Sequence, residues 1–365
     1  MTPIPERSAL DGDVEVLMGT LYLTEQHSLV RRDGEALRVQ IPANDGREAR
    51  TVFVPLIKVD QVVVMGDITL TSPALHMLLE QRVSVHFLSA HGRSYGSLIP
   101  DPTRNAQLHL AQYAAHSTLS RRFPIARAMI AGKLTNMRTL LLRYNRKLNS
   151  ATIDDAAGQI RAAQRQMESL PIPERASDDD RMSGLGPLFG GEGAGTSPYF
   201  GVFGDLLRGE WAFPGRVRRP PTDPVNALLS FGYTVLTKQI VSLICAVGLN
   251  PYIGMLHQPG YGKPALALDI IEEFRPLIVD SVVISMLNNR MLKPSDFVEE
   301  LGAYRLRDEA RRDFLKQLDD RLQETVRHPV FSYTVSYRRC IELQVRLLAK
   351  ALLGEIPRYP AFVVR

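Results

Sequence analysis

A break in the residue pattern at Pro100, Asp101 and Pro102 limits the fold more than any other feature of the sequence. Before the break, apolar and β-branched residues alternate with polar ones in short runs, which is typical of strands. After it, apolar residues recur every three or four positions, which is typical of amphipathic helices. Both parts of the 365-residue chain are long enough to bury a core of their own. The pattern predicts an α+β fold, with a small β domain in residues 1–100 and a larger all-α domain in residues 104–365.

Two local signals refine the prediction for the β domain. Asp33 and Gly34 lie between two apolar runs and predict a tight hairpin turn, whose two central residues take positive φ. Ser72 and Pro73 predict the start of one short helix, because serine caps a helix N-terminus and proline fits the first turn. The flanking runs predict strands, the last of them in residues 95–99.

The clearest charge signal lies in residues 121–147, which include eight basic residues and no acidic one. A solvated helix face usually mixes both signs, so this segment is predicted to face a polyanion. The alternative is a solvated face that is neutralised by acidic residues elsewhere in the fold. With three arginines further along the chain, the predicted phosphate contacts are Arg121, Arg122, Arg127, Lys133, Arg138, Arg143, Arg146, Arg216, Arg218 and Arg219.

Three segments carry side chains that can bind a metal ion. Glu192 lies among the glycines of residues 190–195, where a flexible loop with a solvated carboxylate is the alternative. His257 begins a segment rich in glycine and proline, where a solvent-facing histidine is the alternative. Asp269 and Glu272 share one face of a predicted helix, where acids that favour the helix dipole are the alternative. Neighbouring carboxylates repel unless a cation separates them or one of them holds a proton, and the first case favours Mg²⁺ or Mn²⁺.

Several classes of protein are disfavoured by what the sequence lacks. It has no G-x-x-x-x-G-K-[ST] string, no G-x-S-x-G elbow and no Cys-x-x-Cys pair, which argues against NTPases, serine hydrolases and zinc modules. No uninterrupted apolar run approaches the ~18 residues of a membrane span, so no membrane partner is expected. Two cysteines and a polar N-terminus without a signal peptide favour a cytoplasmic location.

Taken in order, the motifs of this chain resemble the CRISPR adaptation integrase, the universal Cas one endonuclease family of prokaryotes. The resemblance covers nearly the whole chain from about residue 14. It is carried by Ala126-Arg127 with Lys133 and Asn136, by Gly191-Glu192-Gly193 with Tyr199-Phe200, by residues 223–233 and 248–254, by Leu256-His257, and by residues 266–276. The C-terminal residues 337–346 and 359–362 resemble the branch found in type I systems, in particular I-C.

The resemblance implies a β-sandwich-like N-terminal domain that forms a homodimer and a helical, metal-dependent catalytic domain. The implied ligands of Mg²⁺ or Mn²⁺ are Glu192, His257 and Glu272, and Asp269 is a further catalytic residue. Some family members have Asp as the last ligand, so which of Asp269 and Glu272 binds the metal stays open. Asn226 and Tyr233 are candidate pocket-lining residues, with core or capping roles as the alternative.

The activity implied by the resemblance is spacer acquisition in antiviral defence. In this reaction a 3′-hydroxyl of captured double-stranded DNA, the protospacer, attacks a phosphodiester of the CRISPR repeat. The implied partners are this DNA, a small Cas two protein in a heterohexamer-type complex, and a Cas four-type nuclease. Two alternatives stay open. One is a metal-dependent nuclease or resolvase that cuts branched DNA without joining it. The other is a non-catalytic DNA-binding scaffold in which Glu192, His257 and Glu272 never meet.

Overall fold

The computed structural model describes residues 14–17, 19–43, 48–90, 92–100, 106–173, 184–217 and 220–364. The chain divides into two compact units, Met1–Pro102 and Thr103–Arg365. The first unit is built mainly of strands and the second mainly of helices, so the predicted α+β fold class is confirmed.

The first unit consists of two sheets and one helix. Its strands are β1 (Val14–Leu17), β2 (Gly19–Leu23), β3 (Leu29–Asp33), β4 (Ala36–Ile41), β5 (Arg50–Pro55), β6 (Val59–Met65), β7 (Thr69–Leu70), β8 (Ser84–Leu88) and β9 (Ser94–Leu98), and its helix is α1 (Ser72–Glu80). A five-stranded mixed sheet has the order β1-β2-β6-β8-β9, and a four-stranded sheet has the order β5-β4-β3-β7. One hydrophobic core joins them, with Leu21 and Val62 from the larger sheet, Leu37 and Val39 from the smaller, and Leu78 from α1.

The hairpin between β3 and β4 differs from the prediction by one residue. Asp33 pairs with Ala36 across the two strands, so the two-residue loop is formed by Gly34 and Glu35. Only Gly34 of this pair has a positive φ, at 59°. Helix α1 begins at Ser72 as predicted, but Thr71 rather than Ser72 holds the N-cap position.

The second unit contains nine helices among the described residues. They are α2 (Ala106–Ser117), α3 (Leu119–Leu148), α4 (Ala151–Glu168), α5 (Gly186–Gly201), α6 (Pro224–Val247), α7 (Ala265–Phe274), α8 (Ser281–Asn288), α9 (Asp308–Gln323) and α10 (Tyr337–Leu353). The prediction of an all-α domain was incomplete, because two short hairpins interrupt the helices. These are β10 (Phe297–Glu300) with β11 (Ala303–Leu306), and β12 (Thr325–Arg327) with β13 (Thr334–Ser336).

Two helical segments have unusual properties. Among the described helices, α6 is long and apolar enough to cross a membrane, but 61% of its most apolar stretch is buried inside the protein, as in a core helix. Between α7 and α8 the chain forms a single π-helical segment, Pro276–Asp280. Pro276 has no N–H to donate to the preceding turn, which accounts for the break in the α-helical pattern.

Candidate metal centre

Glu192 lies on helix α5, so the alternative of a solvated carboxylate in a flexible loop was wrong. The glycines around it let the helix approach its neighbours closely. A Cβ on Gly195 would lie 2.6 Å from a methyl carbon of Leu134 on α3, and one on Gly191 would lie 3.4 Å from Met167 on α4. The packing gained at these short distances outweighs the low helix propensity of glycine. As a result Glu192 faces α3.

Lys133 of α3 joins the two predicted carboxylate ligands. Its ammonium forms a close ion pair with Oε1 of Glu192 on α5, and it lies 2.9 Å from Oε2 of Glu272 on α7. The second contact is a pairing of charges and not an aligned hydrogen bond, since that oxygen has no hydrogen-bond partner among the described residues. The structure therefore brings Glu192 and Glu272, from distant parts of the sequence, to one point.

Glu272 is buried but remains ionised. Burial alone would raise the pKa of this carboxyl group, but the charges of Arg275 and Lys133 outweigh burial and hold its pKa at about 2. Arg275, one helical turn further along the chain, lies 3.1 Å from Oε1 of Glu272. Glu272 is thus a carboxylate at neutral pH, which is the form that binds a cation.

Asp269 holds His257 and the loop that precedes α7. Its Oδ1 accepts from the backbone N–H of His257 at 2.8 Å, and its Oδ2 accepts from that of Leu256 at 2.9 Å and from that of Met255. The imidazole Nδ1 of His257 lies 2.8 Å from Oδ1 of Asp269. Because Oδ1 of Asp269 acts as the acceptor, Nδ1 carries the hydrogen of this bond, and Nε2 is the ring nitrogen left to face a metal ion.

The chemistry of the predicted ligands suits Mg²⁺ or Mn²⁺, although the three side chains do not converge on one point in this structure. Two carboxylates and an imidazole nitrogen are ligands that hard divalent ions accept, Mn²⁺ most readily. Oε2 of Glu272 is a buried oxygen without a hydrogen-bond partner among the described residues, as expected of a ligand atom. Within the described part of the chain, however, no three metal-binding side chains are close enough to hold an ion as they stand. The ammonium of Lys133 lies against the two carboxylates instead.

Two of the predicted phosphate contacts lie inside the protein. Lys133 is 1% exposed and Arg122 is 2% exposed. Arg122 donates from Nε to the carbonyl oxygen of Met255 at 2.7 Å, so it supports the loop that carries His257. Neither side chain reaches the surface, and a direct grip on DNA by these two residues was a wrong prediction.

The other basic residues differ in how freely they can reach a phosphate. Arg143 and Arg146 are exposed near the end of α3, and Arg138 is partly buried. Arg121 donates to the carbonyl oxygen of Leu352 and Arg127 to that of Leu170, each at 2.8 Å. The predicted contacts Arg218 and Arg219 lie outside the described residues. For the exposed residues, DNA binding stays a prediction.

Asn226 has a core role, which was one of the alternatives to a pocket-lining role, whereas the helix cap is Asp223. It is fully buried, and its side chain donates to the carbonyl oxygen of Gly215 at 2.8 Å. Its Oδ1 accepts from Arg216 at 2.7 Å and from the backbone of Val217 at 3.0 Å. Asp223 caps α6 by accepting from the backbone N–H of Asn226. These bonds attach residues 215–217 to the start of α6.

Tyr233 lies next to the metal centre, in a polar cluster that the sequence did not reveal. The guanidinium carbons of Arg275 and Arg216 lie 4.8 Å and 5.4 Å from the centre of its ring. Its hydroxyl donates to Asp280 at 2.6 Å, and Tyr199 donates to the other oxygen of Asp280 at the same distance. Burial raises the pKa of Asp280 to about 6, against the lowering effect of the two tyrosine hydrogen bonds. The only sequence signal for Asp280 was an acid in an apolar run.

Glu273 is a second residue that sequence reasoning missed, and it fixes the C-terminal segment. Its carboxyl group accepts from the hydroxyl of Tyr359 at 2.8 Å, the backbone of Phe362 at 2.7 Å and the amide of Gln344 at 3.1 Å. Burial raises its pKa to about 8, because these hydrogen bonds compensate only in part. The residue after Glu272 is therefore bound to the C-terminal segment in the interior of the unit.

Comparison with known proteins identifies the family. The sequence model described as CRISPR associated protein Cas1 matches residues 21–320. A relative from Thermus thermophilus, named CRISPR-associated endonuclease Cas1 3, is 38% identical over 348 residues, which cover 95% of this chain and 98% of the relative. The chain belongs to the Cas1 family. The resemblance inferred from the motifs is thus confirmed at the level of the family, whereas the I-C-like branch stays a prediction.

Other Cas1 proteins extend the comparison. A Cas4 exonuclease/Cas1 endonuclease fusion from Geobacter sulfurreducens is 39% identical over 94% of this chain and 60% of the fusion. The structure of a Cas1 protein from Thermotoga maritima matches with a TM-score of 0.77 at 26% identity, over 95% of this chain and 99% of that one. A Cas6-RT-Cas1 chain in a complex with Cas2 matches with a TM-score of 0.76 at 26% identity, over 96% of this chain and 36% of that one.

Proposed function

We propose that this Cas1 protein is a divalent-metal-dependent DNA endonuclease and integrase that acts in CRISPR spacer acquisition. It joins the 3′-hydroxyl ends of captured DNA to the CRISPR repeat. The observation that carries the proposal is the meeting of Glu192 and Glu272 at one ammonium. The scaffold alternative required that Glu192, His257 and Glu272 never meet, and the meeting of two of these three side chains argues against it.

The proposed chemistry is a transesterification. The 3′-hydroxyl oxygen forms a bond to the target phosphorus and loses its proton to solvent. The bond from phosphorus to the target 3′-oxygen breaks, and that oxygen takes up a proton from solvent to become a free 3′-hydroxyl. Glu192, His257 and Glu272 would hold Mg²⁺ or Mn²⁺, which stabilises negative charge on the phosphate and lowers the pKa of the hydroxyl. Asp269 would act as the positioning residue of His257. Arg275, paired with Glu272, would add positive charge beside the reacting phosphate.

The substrate proposal is supported by the basic surface of α3, and the partner proposals are supported by the comparisons with other Cas1 proteins. The exposed basic residues of α3 suit a DNA backbone, which is bound largely without regard to sequence. The likeness to the Cas1 part of a complex with Cas2 supports a small Cas2 partner, and the fusion with Cas4 in a relative supports a Cas4-type nuclease that trims the DNA. The homodimer, the heterohexamer-type complex and a cytoplasmic location belong to the same proposal.

A strand-transfer assay tests the proposal. The purified protein and its Cas2 partner are incubated with a short duplex bearing free 3′-hydroxyls and a supercoiled plasmid carrying a repeat, in Mn²⁺ or in EDTA. We expect joined product in Mn²⁺ only, and its loss to background in Glu192→Ala and Glu272→Ala. Glu309→Ala, which removes an exposed carboxylate of α9, should retain full activity.

The products separate the alternatives. Nicking of the plasmid without joining would show that the protein is a nuclease or resolvase and does not integrate DNA. Salt-sensitive DNA binding without any metal-dependent product would reject an enzymatic role and support the non-catalytic DNA-binding scaffold.

A further inference from the structure

Lys133 and Arg122 are the two buried basic residues of α3, and Lys133 is the one whose ammonium lies against the predicted carboxylate ligands. The side chain is 1% exposed, and its ammonium contacts carboxylates from two different helices, α5 and α7. A buried ammonium is unfavourable unless anionic groups surround it, and here both anions are predicted metal ligands. The amine therefore lies against the same oxygen atoms that a divalent ion would use.

The charges of this cluster already balance without a metal ion. The two anions, Glu192 and Glu272, are matched by two cations, Lys133 and Arg275, each within ion-pair distance. A divalent ion is attracted most strongly where negative charge is uncompensated, and a nearby ammonium repels it. Lys133 thus supplies part of the positive charge that the metal would bring.

We infer that Lys133 is the resident counter-ion of the metal centre, which holds Glu192 and Glu272 together and competes with the divalent ion for them. This inference rests on the proposed function, because it presupposes that these carboxylates bind a metal. Lys133 is in this sense a positioning residue that acts through the two ligands.

The same arrangement couples metal binding to DNA binding. The side chain of Glu192 is 17% exposed, so the cluster opens to solvent on the side of α5. A DNA phosphate that arrives there brings negative charge close to the cluster, which offsets the charge of the buried ammonium and strengthens the attraction of the cluster for the metal ion. DNA and divalent ion should therefore each strengthen the binding of the other.

Titration with Mn²⁺, followed by the electron paramagnetic resonance signal of the free ion, tests the inference on the full-length protein. In the absence of DNA, Lys133→Met and Lys133→Gln should bind Mn²⁺ about tenfold or more tightly than the unmodified protein, since a repelling charge has been removed. Lys133→Arg keeps the charge and should match the unmodified protein. Lys147→Met removes an exposed lysine of the same helix and serves as the control.

A second measurement uses the unmodified protein alone, so the test does not depend on whether the variants fold. Addition of a short DNA duplex should tighten Mn²⁺ binding, because its phosphates bring negative charge close to the cluster. The inference is overturned if both neutral variants bind Mn²⁺ no more tightly than the unmodified protein, or if DNA leaves the affinity unchanged.

Two ligand variants separate this inference from the proposed function. If His257→Ala and Glu272→Ala bind Mn²⁺ as tightly as the unmodified protein, the metal centre itself is wrong. If they no longer bind Mn²⁺ while Lys133→Gln binds Mn²⁺ as tightly as the unmodified protein, only the proposed role of Lys133 is wrong.

Discussion

At the scale of single residues, two of the three acids of α7 illustrate how similar side chains have different roles. Asp269 and Glu272 lie one turn apart, and both are buried. Asp269 uses both oxygens to accept from the backbone of residues 255–257 and from the imidazole of His257. In the described part of the chain, the carboxylate of Glu272 forms ion pairs with Lys133 and Arg275. The geometry therefore favours Glu272 as the direct ligand and Asp269 as the group that orients His257.

The role of Asp269 predicts a specific effect of Asp269→Asn. Each carboxylate oxygen accepts two hydrogen bonds, so an amide NH₂ at either position would oppose two N–H donors. We expect Mn²⁺ affinity and strand transfer to fall by roughly 10- to 100-fold, as is usual when the partner of a ligating histidine is removed. The measurements are Mn²⁺ titration and the strand-transfer rate.

The control for this prediction is Asp308→Asn, which changes an exposed acid at the start of α9. It should leave both quantities unchanged. Unaltered Mn²⁺ affinity in Asp269→Asn would show that His257 needs no fixed orientation.

The limit of sequence-based reasoning is also clearest at this scale. The sequence was sufficient to predict that Asp269 and Glu272 lie on one helix face, and it also indicated the residue types of the candidate metal centre. Which acid meets Lys133 depends on how residues 254–257 fold back on α7. Gly254 allows that close approach, because a Cβ there would lie 2.7 Å from Oδ2 of Asp269. Contacts of this kind, across more than a hundred residues in the case of Lys133 and Glu272, leave no periodic signal in the chain.

At the scale of secondary-structure elements, α5 shows why local propensity misled. Four glycines within residues 190–195 predict a loop, yet the segment is helical. Its helix is stabilised by packing on α3 and α4, where buried Leu188 and Tyr199 contribute apolar surface. Strongly periodic segments such as α3 were predicted correctly, because their own amphipathic pattern and their tertiary packing agree.

This explanation predicts opposite effects for two glycines of α5. Gly193 is exposed and has open space around a Cβ, so Gly193→Ala should stabilise the protein by up to about 1 kcal/mol. A Cβ on Gly195 would lie 2.6 Å from Leu134, so Gly195→Ala should destabilise it by about 1–3 kcal/mol. Urea unfolding of the two variants measures both changes. Stabilisation by both substitutions would mean that α5 does not need its close approach to α3.

At the scale of the whole molecule, the net charge of +5 conceals a sorting of basic residues by depth. The basic segment of α3 was predicted as a single DNA-binding face. The structure divides it into two groups. Arg122 and Lys133 are buried beside the candidate metal ligands, and Arg143 and Arg146 are exposed near the C-terminal end of the helix. A sequence shows the charge of a residue but not its depth, so only the exposed members remain candidates for contact with phosphates.

The salt dependence of DNA binding tests this division. Each phosphate contact releases a counter-ion, so the loss of one contact should reduce the slope of log K against log salt by about 0.9 for duplex DNA. We expect this reduction in Arg143→Gln and in Arg146→Gln, with roughly additive effects in the double variant. Arg305→Gln removes a partly exposed arginine of β11 that is paired with Glu300 and should leave the slope unchanged. Equal slopes in all of these variants would place the DNA on a different surface, since an exposed charge that binds no phosphate releases no counter-ion.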